Sequence, residues 1–146
     1  MIDVYPQIST ELESFIQAYM KSPERADCLQ KKQVRVRTEF EDSTSSFPYI
    51  TIGEKGNEYA DNELDNQEKH SSLVYDINIY DNSKMKMKIC STLALVVNEY
   101  MSEKMGFKRT FHEPLPNVRD NTIYRITQRY EGYIDNETGV ITKNIL

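Results

Sequence analysis

The stretch LVYDINIYDNSKMKMKICSTLALVVNEY, residues 73–100, predicts a strand that runs directly into a helix. Its first part, residues 73–80, alternates apolar and polar side chains, as a β-strand with one buried face does. Asp81, Asn82 and Ser83 then supply candidate N-caps for a helix that ends at Gly106. The apolar residues at helical spacing are Ile89, Leu93, Val96, Val97 and Tyr100. Because this helix is the longest and most apolar predicted element, we expect it to cover a sheet.

A second amphipathic helix is predicted near the N-terminus. The apolar residues that share one face of it are Ile8, Leu12, Phe15, Ile16, Tyr19 and Met20. Thr10 and Glu13 have the spacing of a capping box, and Ser22 with Pro23 ends the helical pattern. This helix should therefore bury one face against the rest of the domain.

Further strands are predicted on both sides of the central stretch. In residues 33–40 and 48–53 apolar and polar residues alternate, and the serine-rich residues 43–46 between them favour a hairpin. The later strand segments are residues 107–111, 121–135 and 140–142. This order of elements predicts an α+β fold, with a mixed or antiparallel sheet and two amphipathic helices packed on one of its faces.

Residues 54–72 are predicted to form a long exposed loop. This segment is rich in Asn, Asp, Glu and Lys, and Tyr59, Ala60 and Leu64 are its main apolar residues. Such a segment buries too little apolar surface to offset the entropy of ordering it, so we expect it to order against a neighbouring subunit. The chain of 146 residues otherwise has the length of one domain, covering residues 1–146.

The charge and cysteine content restrict the partners. The formal net charge is −5, from 23 acidic and 18 basic residues, so the chain as a whole is not attracted to nucleic-acid phosphates. Cys28 and Cys90 are expected to be reduced, because no secretory signal precedes them. No apolar run approaches the roughly 20 residues that span a bilayer, so we expect no membrane partner.

No pattern in the sequence predicts an enzyme. Cys28, Cys90, His70 and His112 lack the paired spacing of a metal site, and residues 53–56 match no phosphate-binding loop. We therefore predict no catalytic residue, no metal and no cofactor. A small metal-dependent nuclease is a weaker alternative, since acidic and basic residues lie together in one segment. These are Arg35, Arg37, Glu39, Glu41 and Asp42.

Some polar and aromatic residues are candidates for contacts between subunits. Arg125, Arg129 and Glu131 lie on one face of a predicted strand. This pattern is typical of an ordinary polar sheet face or of a row of intersubunit salt bridges. A Tyr ring can pack at a subunit boundary while its hydroxyl stays hydrogen-bonded. The candidate interface residues are Tyr59, Leu64, Tyr80, Arg125, Arg129 and Tyr133.

The succession of elements resembles the small tail-terminator and tail-completion proteins of long-tailed phages and phage-tail-like particles. The resemblance is carried by the N-terminal helix, by FPYITIGE at residues 47–54 with the acidic loop after it, by LVYDINIYD at residues 73–81, and by YRITQRYEGYID at residues 124–135. It covers most of the chain as a pattern and an order of elements, without a catalytic signature.

The resemblance implies a structural protein of the virion tail or neck, assembled in the bacterial cytoplasm. Members of this family form a ring, usually of six copies, that caps the head-proximal end of the tail tube. The implied partners are other copies of the chain, the tail tube and sheath proteins, a head-side connector, and DNA that passes without specific binding. A head-completion or tail-to-head joining adaptor is the closest alternative, and a solitary binding module of a host cell is a further one.

Overall fold

The computed structural model describes residues 5–20, 34–37, 47–59, 70–115, 122–135 and 141–142. The two helices are α1 (Tyr5–Met20) and α2 (Lys86–Asn98), and α2 continues as a π-helical turn over Glu99–Lys104. The strands are β1 (Arg35–Arg37), β2 (Tyr49–Tyr59), β3 (His70–Asp81), β4 (Lys108–Pro114), β5 (Tyr124–Asp135) and β6 (Ile141–Thr142).

The strands form one mixed sheet in the order β1-β2-β3-β5-β4, with β6 pairing to β5. β1 runs parallel to β2, and the other pairs are antiparallel. The predicted α+β fold is therefore confirmed. The predicted hairpin between the first two strands is wrong, because Arg35 pairs with Tyr49 in parallel register. Alternation of apolar residues assigns the faces of a strand but not its direction.

The two helices and the sheet enclose an apolar core. On β3 the residues that face the helices are Leu73, Tyr75, Ile77 and Ile79, all fully buried. Ile50 and Ile126 flank Ile79 in the neighbouring strands. The helices contribute Ile8, Leu12 and Ile16 from α1 and Ile89, Leu93, Ala94, Val96 and Val97 from α2. Both helices thus pack on the same face, as the sequence predicts.

The ends of the helices differ in part from the prediction. α1 begins at Tyr5, so Thr10 lies inside the helix, and the Glu13 carboxylate instead accepts a hydrogen bond from the Val36 backbone N–H of β1 at 3.2 Å. Met85 occupies the N-cap of α2 without a side-chain bond, while Asp81 accepts hydrogen bonds from the backbone N–H and the hydroxyl of Ser83. Predicted N-cap residues thus close a turn that precedes the helix.

Gly106 ends the helical segment as predicted. Its φ of 79° lies in the left-handed region that favours glycine, and the next amide, that of Phe107, donates to the Met101 carbonyl at 2.8 Å. This turn places the Phe107 ring edge-on against Tyr75, with ring centroids 5.8 Å apart. Phe107 also lies over Gly132 of β5, where an added Cβ would clash with the ring.

The predicted loop over residues 54–72 is wrong at both ends. β2 continues to Tyr59 and β3 begins at His70, with a bulge in their pairing between Glu54 and Gly56. Backbone hydrogen bonds to a neighbouring strand order these polar residues without apolar burial, which composition alone does not reveal. Residues 60–69, including Leu64, lie outside the described residues.

Among the described residues, no helix has the length and hydropathy needed to cross a membrane.

Candidate subunit interface

The sheet face opposite the helices, here called the open face, is built from alternate residues of the long strands. Its central residues are Tyr49 and Thr51 of β2, Asp76, Asn78 and Tyr80 of β3, and Arg125, Thr127 and Arg129 of β5. Tyr49, Thr51, Tyr80 and Thr127 are buried, whereas Arg129 is exposed. Because side chains alternate along a strand, the buried isoleucines on one side place these residues on the other. Arg35 of β1 extends the row of Tyr49, Tyr80 and Arg125 across four strands.

A hydrogen-bonded network joins Arg125 to its cross-strand neighbours. The Arg125 Nε–H donates to Asn78 Oδ1 at 3.0 Å and to Thr127 Oγ1 at 3.1 Å, and the Thr127 hydroxyl donates to the same Asn78 oxygen at 2.6 Å. Thr127 is buried and Arg125 is half-buried. The guanidinium is therefore held in one orientation, so a contact with another molecule would cost it less side-chain entropy.

Arg129 is paired within its own chain. Its Nε and Nη2 atoms donate to the two carboxylate oxygens of Asp76, at 2.7 and 3.2 Å. This carboxylate raises the pKa of Arg129 above its ordinary value, first through the hydrogen bonds and then through its charge. The predicted salt bridge of Arg129 across a subunit boundary would have to form beside this existing pair.

The aromatic residues of the open face divide into buried and exposed ones. Tyr80 is only 6% exposed because its ring stacks on Tyr49, with centroids 4.9 Å apart, so its predicted contact with another subunit is not available in this conformation. The Phe47 ring packs against the Tyr49 ring, with centroids 5.3 Å apart. Tyr133 is 36% exposed and lies on the same side of β5 as Arg125 and Arg129. These three remain candidate interface residues.

Of the other two candidates, the structure describes only Tyr59. Tyr59 is the last residue of β2 and pairs with Ser71 of β3, toward the far end of the sheet from Tyr80. Leu64 lies outside the described residues. The structure thus brings four of the six residues predicted for an interface onto one face, and three of these four are at least partly exposed.

Both edges of the sheet carry features that disfavour addition of another strand. β4 is exposed along its whole length, but it contains Lys108, Arg109, a bulge after Arg109 and a terminal proline, Pro114. β1 at the opposite edge has three residues, two of them arginines. Charged side chains, bulges, proline and short strands are devices that protect sheet edges from pairing with other chains. The open face is therefore a better candidate for an interface than either edge.

The helix-covered side contains a polar cluster around Gln128 of β5. Its Nε2 donates to the Ala94 carbonyl at 3.2 Å and lies 3.1 Å from His112 Nδ1, while its Oε1 is buried without a hydrogen-bond partner in the described part of the chain. Partial burial, and then the charge of Arg109, lower the pKa of His112. This favours the neutral ring, whose Nδ1 can accept the amide proton.

Cys90 of α2 is not a reactive thiol. It is fully buried, with its sulfur 3.8 Å from the carbonyl oxygens of Ile79 and Tyr124. Burial and then the nearby Asp81 charge raise its pKa to about 12, so the nucleophilic thiolate is strongly disfavoured. Within the described ranges, no group of three His, Cys, Asp or Glu residues could hold a metal ion.

Sequence reasoning missed the partners of the two arginines. Asp76, Asn78 and Thr127 have the same alternation as the arginines, but their pairing depends on the register between β3 and β5, which are separated by α2 and β4.

No protein-family model matches the chain, and no curated protein sequence matches it significantly.

Proposed function

We propose that this chain is a structural subunit that assembles into a ring, and that the ring caps a phage-like tail tube in the manner of a tail terminator. The observation that carries the proposal is the ordered polar array on the sheet face opposite the helices. On this open face Arg125 is half-buried, and Arg129 and Tyr133 are exposed. Aromatic residues and arginine are enriched in the buried centres of protein interfaces.

A closed ring requires two different surfaces on each subunit, one that faces each neighbour. The molecule offers two such surfaces, since the open face and the helix layer lie on opposite sides of the sheet. Ordering of the open face before assembly favours a defined geometry of contact over a variable one. A ring needs this property because small angular errors accumulate around it.

The charges are also compatible with a ring through which DNA passes. The chain carries a net charge of −5, and on the open face Arg129 is neutralised by Asp76. A pore lined by uncompensated cations would bind phosphates with a strong dependence on salt. The order of elements that resembles tail-completion proteins supports the same role.

Electron microscopy tests the proposal in two steps. The purified chain at high concentration should form rings with a central opening, and light scattering should give one defined multiple of the 17.1 kDa chain mass. Particles that lack the chain should then show tails of uncontrolled length. A chain that stays smaller than a ring under all conditions contradicts the proposal, and normal tails without a joined head indicate an adaptor instead.

Paired variants test the use of the open face. Arg129→Glu and Tyr133→Ala should each abolish or strongly reduce rings while leaving the circular dichroism spectrum unchanged. Lys108→Glu is the matched control, because Lys108 is exposed on the edge strand β4 and belongs to neither of these two surfaces. Equal ring formation by all three variants would show that the contact lies elsewhere.

A further inference from the structure

Helix α2 exposes two large apolar side chains on the side away from the core. Leu95 is 70% exposed and Met87 is 62% exposed, and the small residue Ser91 lies midway between them. All three belong to the regular α-helical part of α2, where residues four apart share one face. The exposed Lys88 lies beside them. These four residues are called the outer stripe below.

The opposite side of the molecule exposes two aromatic rings. Phe111 and Tyr133 are each 36% exposed. Phe111 of β4 pairs with Arg129 of β5, so its side chain lies on the same side of the sheet as those of Arg129 and Tyr133. The next residue, His112, confirms this assignment, because its ring lies 3.1 Å from the amide of Gln128 on the helix-covered side. Phe111 and Tyr133 are called the aromatic pair below.

The outer stripe and the aromatic pair match in spacing. Met87 and Leu95 are eight residues apart, which is about 12 Å along an α-helix. Phe111 lies beside Arg129, and the four residues from Arg129 to Tyr133 span about 13 Å of β5. One strand spacing of about 5 Å separates Phe111 sideways from β5, so the two rings are about 14 Å apart. A helix laid along β5 can therefore place one apolar side chain against each ring.

The charges select one direction for such a helix. Glu113 is exposed and lies two residues after Phe111, on the same side of β4. Side chains of a helix lean toward its N-terminus, so the ammonium group of Lys88 reaches toward the Met87 end of the stripe. With Met87 against Phe111, Lys88 therefore meets Glu113. The first turn of α2 contains no acidic residue, so the positive end of the helix dipole adds to this attraction.

We propose that the outer stripe of one copy of this chain binds the aromatic pair of the next copy. Met87 then packs on Phe111, and at the other end Leu95 packs on Tyr133. Aromatic residues and methionine are enriched in the centres of protein interfaces. The inference rests on the proposed ring, for which it names the two surfaces that meet. Because these surfaces differ, each copy binds one neighbour on either side and the contact repeats around an axis.

A mixture of two blocked variants tests whether the two surfaces meet. Leu95→Asp disables the outer stripe, and Phe111→Ala/Tyr133→Ala disables the aromatic pair. Each variant alone should form no rings and should sediment as a monomer. An equimolar mixture should form heterodimers and nothing larger, because one intact stripe and one intact aromatic pair remain. Heterodimer formation also shows that both variants are folded, and a mixture that stays monomeric at roughly millimolar concentration overturns the inference.

Charge exchange tests the direction of the helix. Lys88→Glu and Glu113→Lys should each weaken ring assembly about tenfold, as measured by light scattering over a range of concentrations. The double variant Lys88→Glu/Glu113→Lys should regain assembly, because the pair is restored with its signs exchanged. A double variant that assembles no better than the single ones would overturn the proposed direction.

Two further results separate this inference from the proposed function. Ser14→Asp adds one negative charge at an exposed position of α1, within the helix layer but outside the outer stripe, and should leave rings intact. Rings that persist in Leu95→Asp would overturn the inference while leaving the proposed ring in place. Heterodimers from the blocked variants, obtained with a chain that never closes a ring, would contradict only the proposed function.

Discussion

The two faces of strands β3 and β5 are ordered by different forces. On the helix-covered face Ile77, Ile79 and Tyr130 are buried in an apolar core. On the open face the same strands place Asn78, Thr127 and Arg125 in a hydrogen-bonded network. Apolar burial contributes most of the stability of a domain, whereas a satisfied polar network mainly fixes the orientation of its side chains. The comparison therefore separates residues that hold the fold from residues whose orientation is fixed by a polar network.

The largest effect is expected in the core. Leu93 of α2 is fully buried, so Leu93→Ala removes apolar contacts and leaves a cavity, and should lower the free energy of unfolding by about 2–5 kcal/mol. Leu95→Ala is the matched control, because Leu95 is 70% exposed on the same helix and should change stability by less than about 0.5 kcal/mol. Urea unfolding monitored by circular dichroism measures both. Similar values for the two variants would mean that the covered face does not hold the fold.

The covered face could be predicted from the sequence because its information is local. The alternation over residues 73–80 and the helical spacing from Ile89 to Tyr100 each assign a buried side without knowledge of any partner. The buried side chains of Leu93, Val97 and Tyr75 confirm these assignments. The end of the helix at Gly106 was predictable for the same reason, since a left-handed residue at that position favours glycine.

The open face could be predicted only in part. The sequence indicates that Arg125, Arg129 and Tyr133 share one side of a strand, but it does not reveal that Asp76 lies opposite Arg129. Such pairs depend on register between strands that are distant in sequence. The stacking of Tyr80 on Tyr49 has the same origin, as has the extension of β2 to Tyr59 through pairing with β3.

The close approach of Phe107 to Gly132 provides the next test of the covered face. Gly132→Ala places a methyl group against the Phe107 ring, which is buried and held edge-on by Tyr75. Overpacking of this kind should destabilise the domain by about 1–3 kcal/mol. The cost of Gly132→Ala should be smaller when Phe107 is replaced by Leu. Thermal unfolding of the double variant Gly132→Ala/Phe107→Leu, compared with Phe107→Leu alone, measures this cost. A Gly132→Ala protein as stable as the original would show that the ring moves aside freely.

A smaller effect is expected on the open face. Asn78→Ala removes the shared acceptor of Arg125 and Thr127, leaving a buried hydroxyl and a half-buried guanidinium less well satisfied, so we expect a loss of about 1–2 kcal/mol. Arg129→Ala breaks an exposed pair and should lose less than about 1 kcal/mol. Chemical denaturation of the two variants sharpens the comparison. A larger loss for Arg129→Ala would show that the ion pair stabilises this face more than the buried network does.

The smallest expected effect is a dependence of stability on pH, and it arises from His112 in the edge strand β4. Burial and the Arg109 charge lower the pKa of His112 from its ordinary 6.5. Between the lowered pKa of the folded chain and the ordinary pKa of the unfolded chain, the unfolded chain binds more protons than the folded one. Stability should therefore rise with pH through that window and decrease as pH falls below about 6.5. Protonation at Nδ1 removes the acceptor for the Gln128 amide, and rotating that amide to offer its Oε1 would sacrifice its bond to Ala94. The dependence is modest because His112 is exposed at the sheet edge. Unfolding at several pH values, compared with His112→Gln, isolates it: the variant should lose this pH dependence, and an unchanged profile would assign the dependence to other groups.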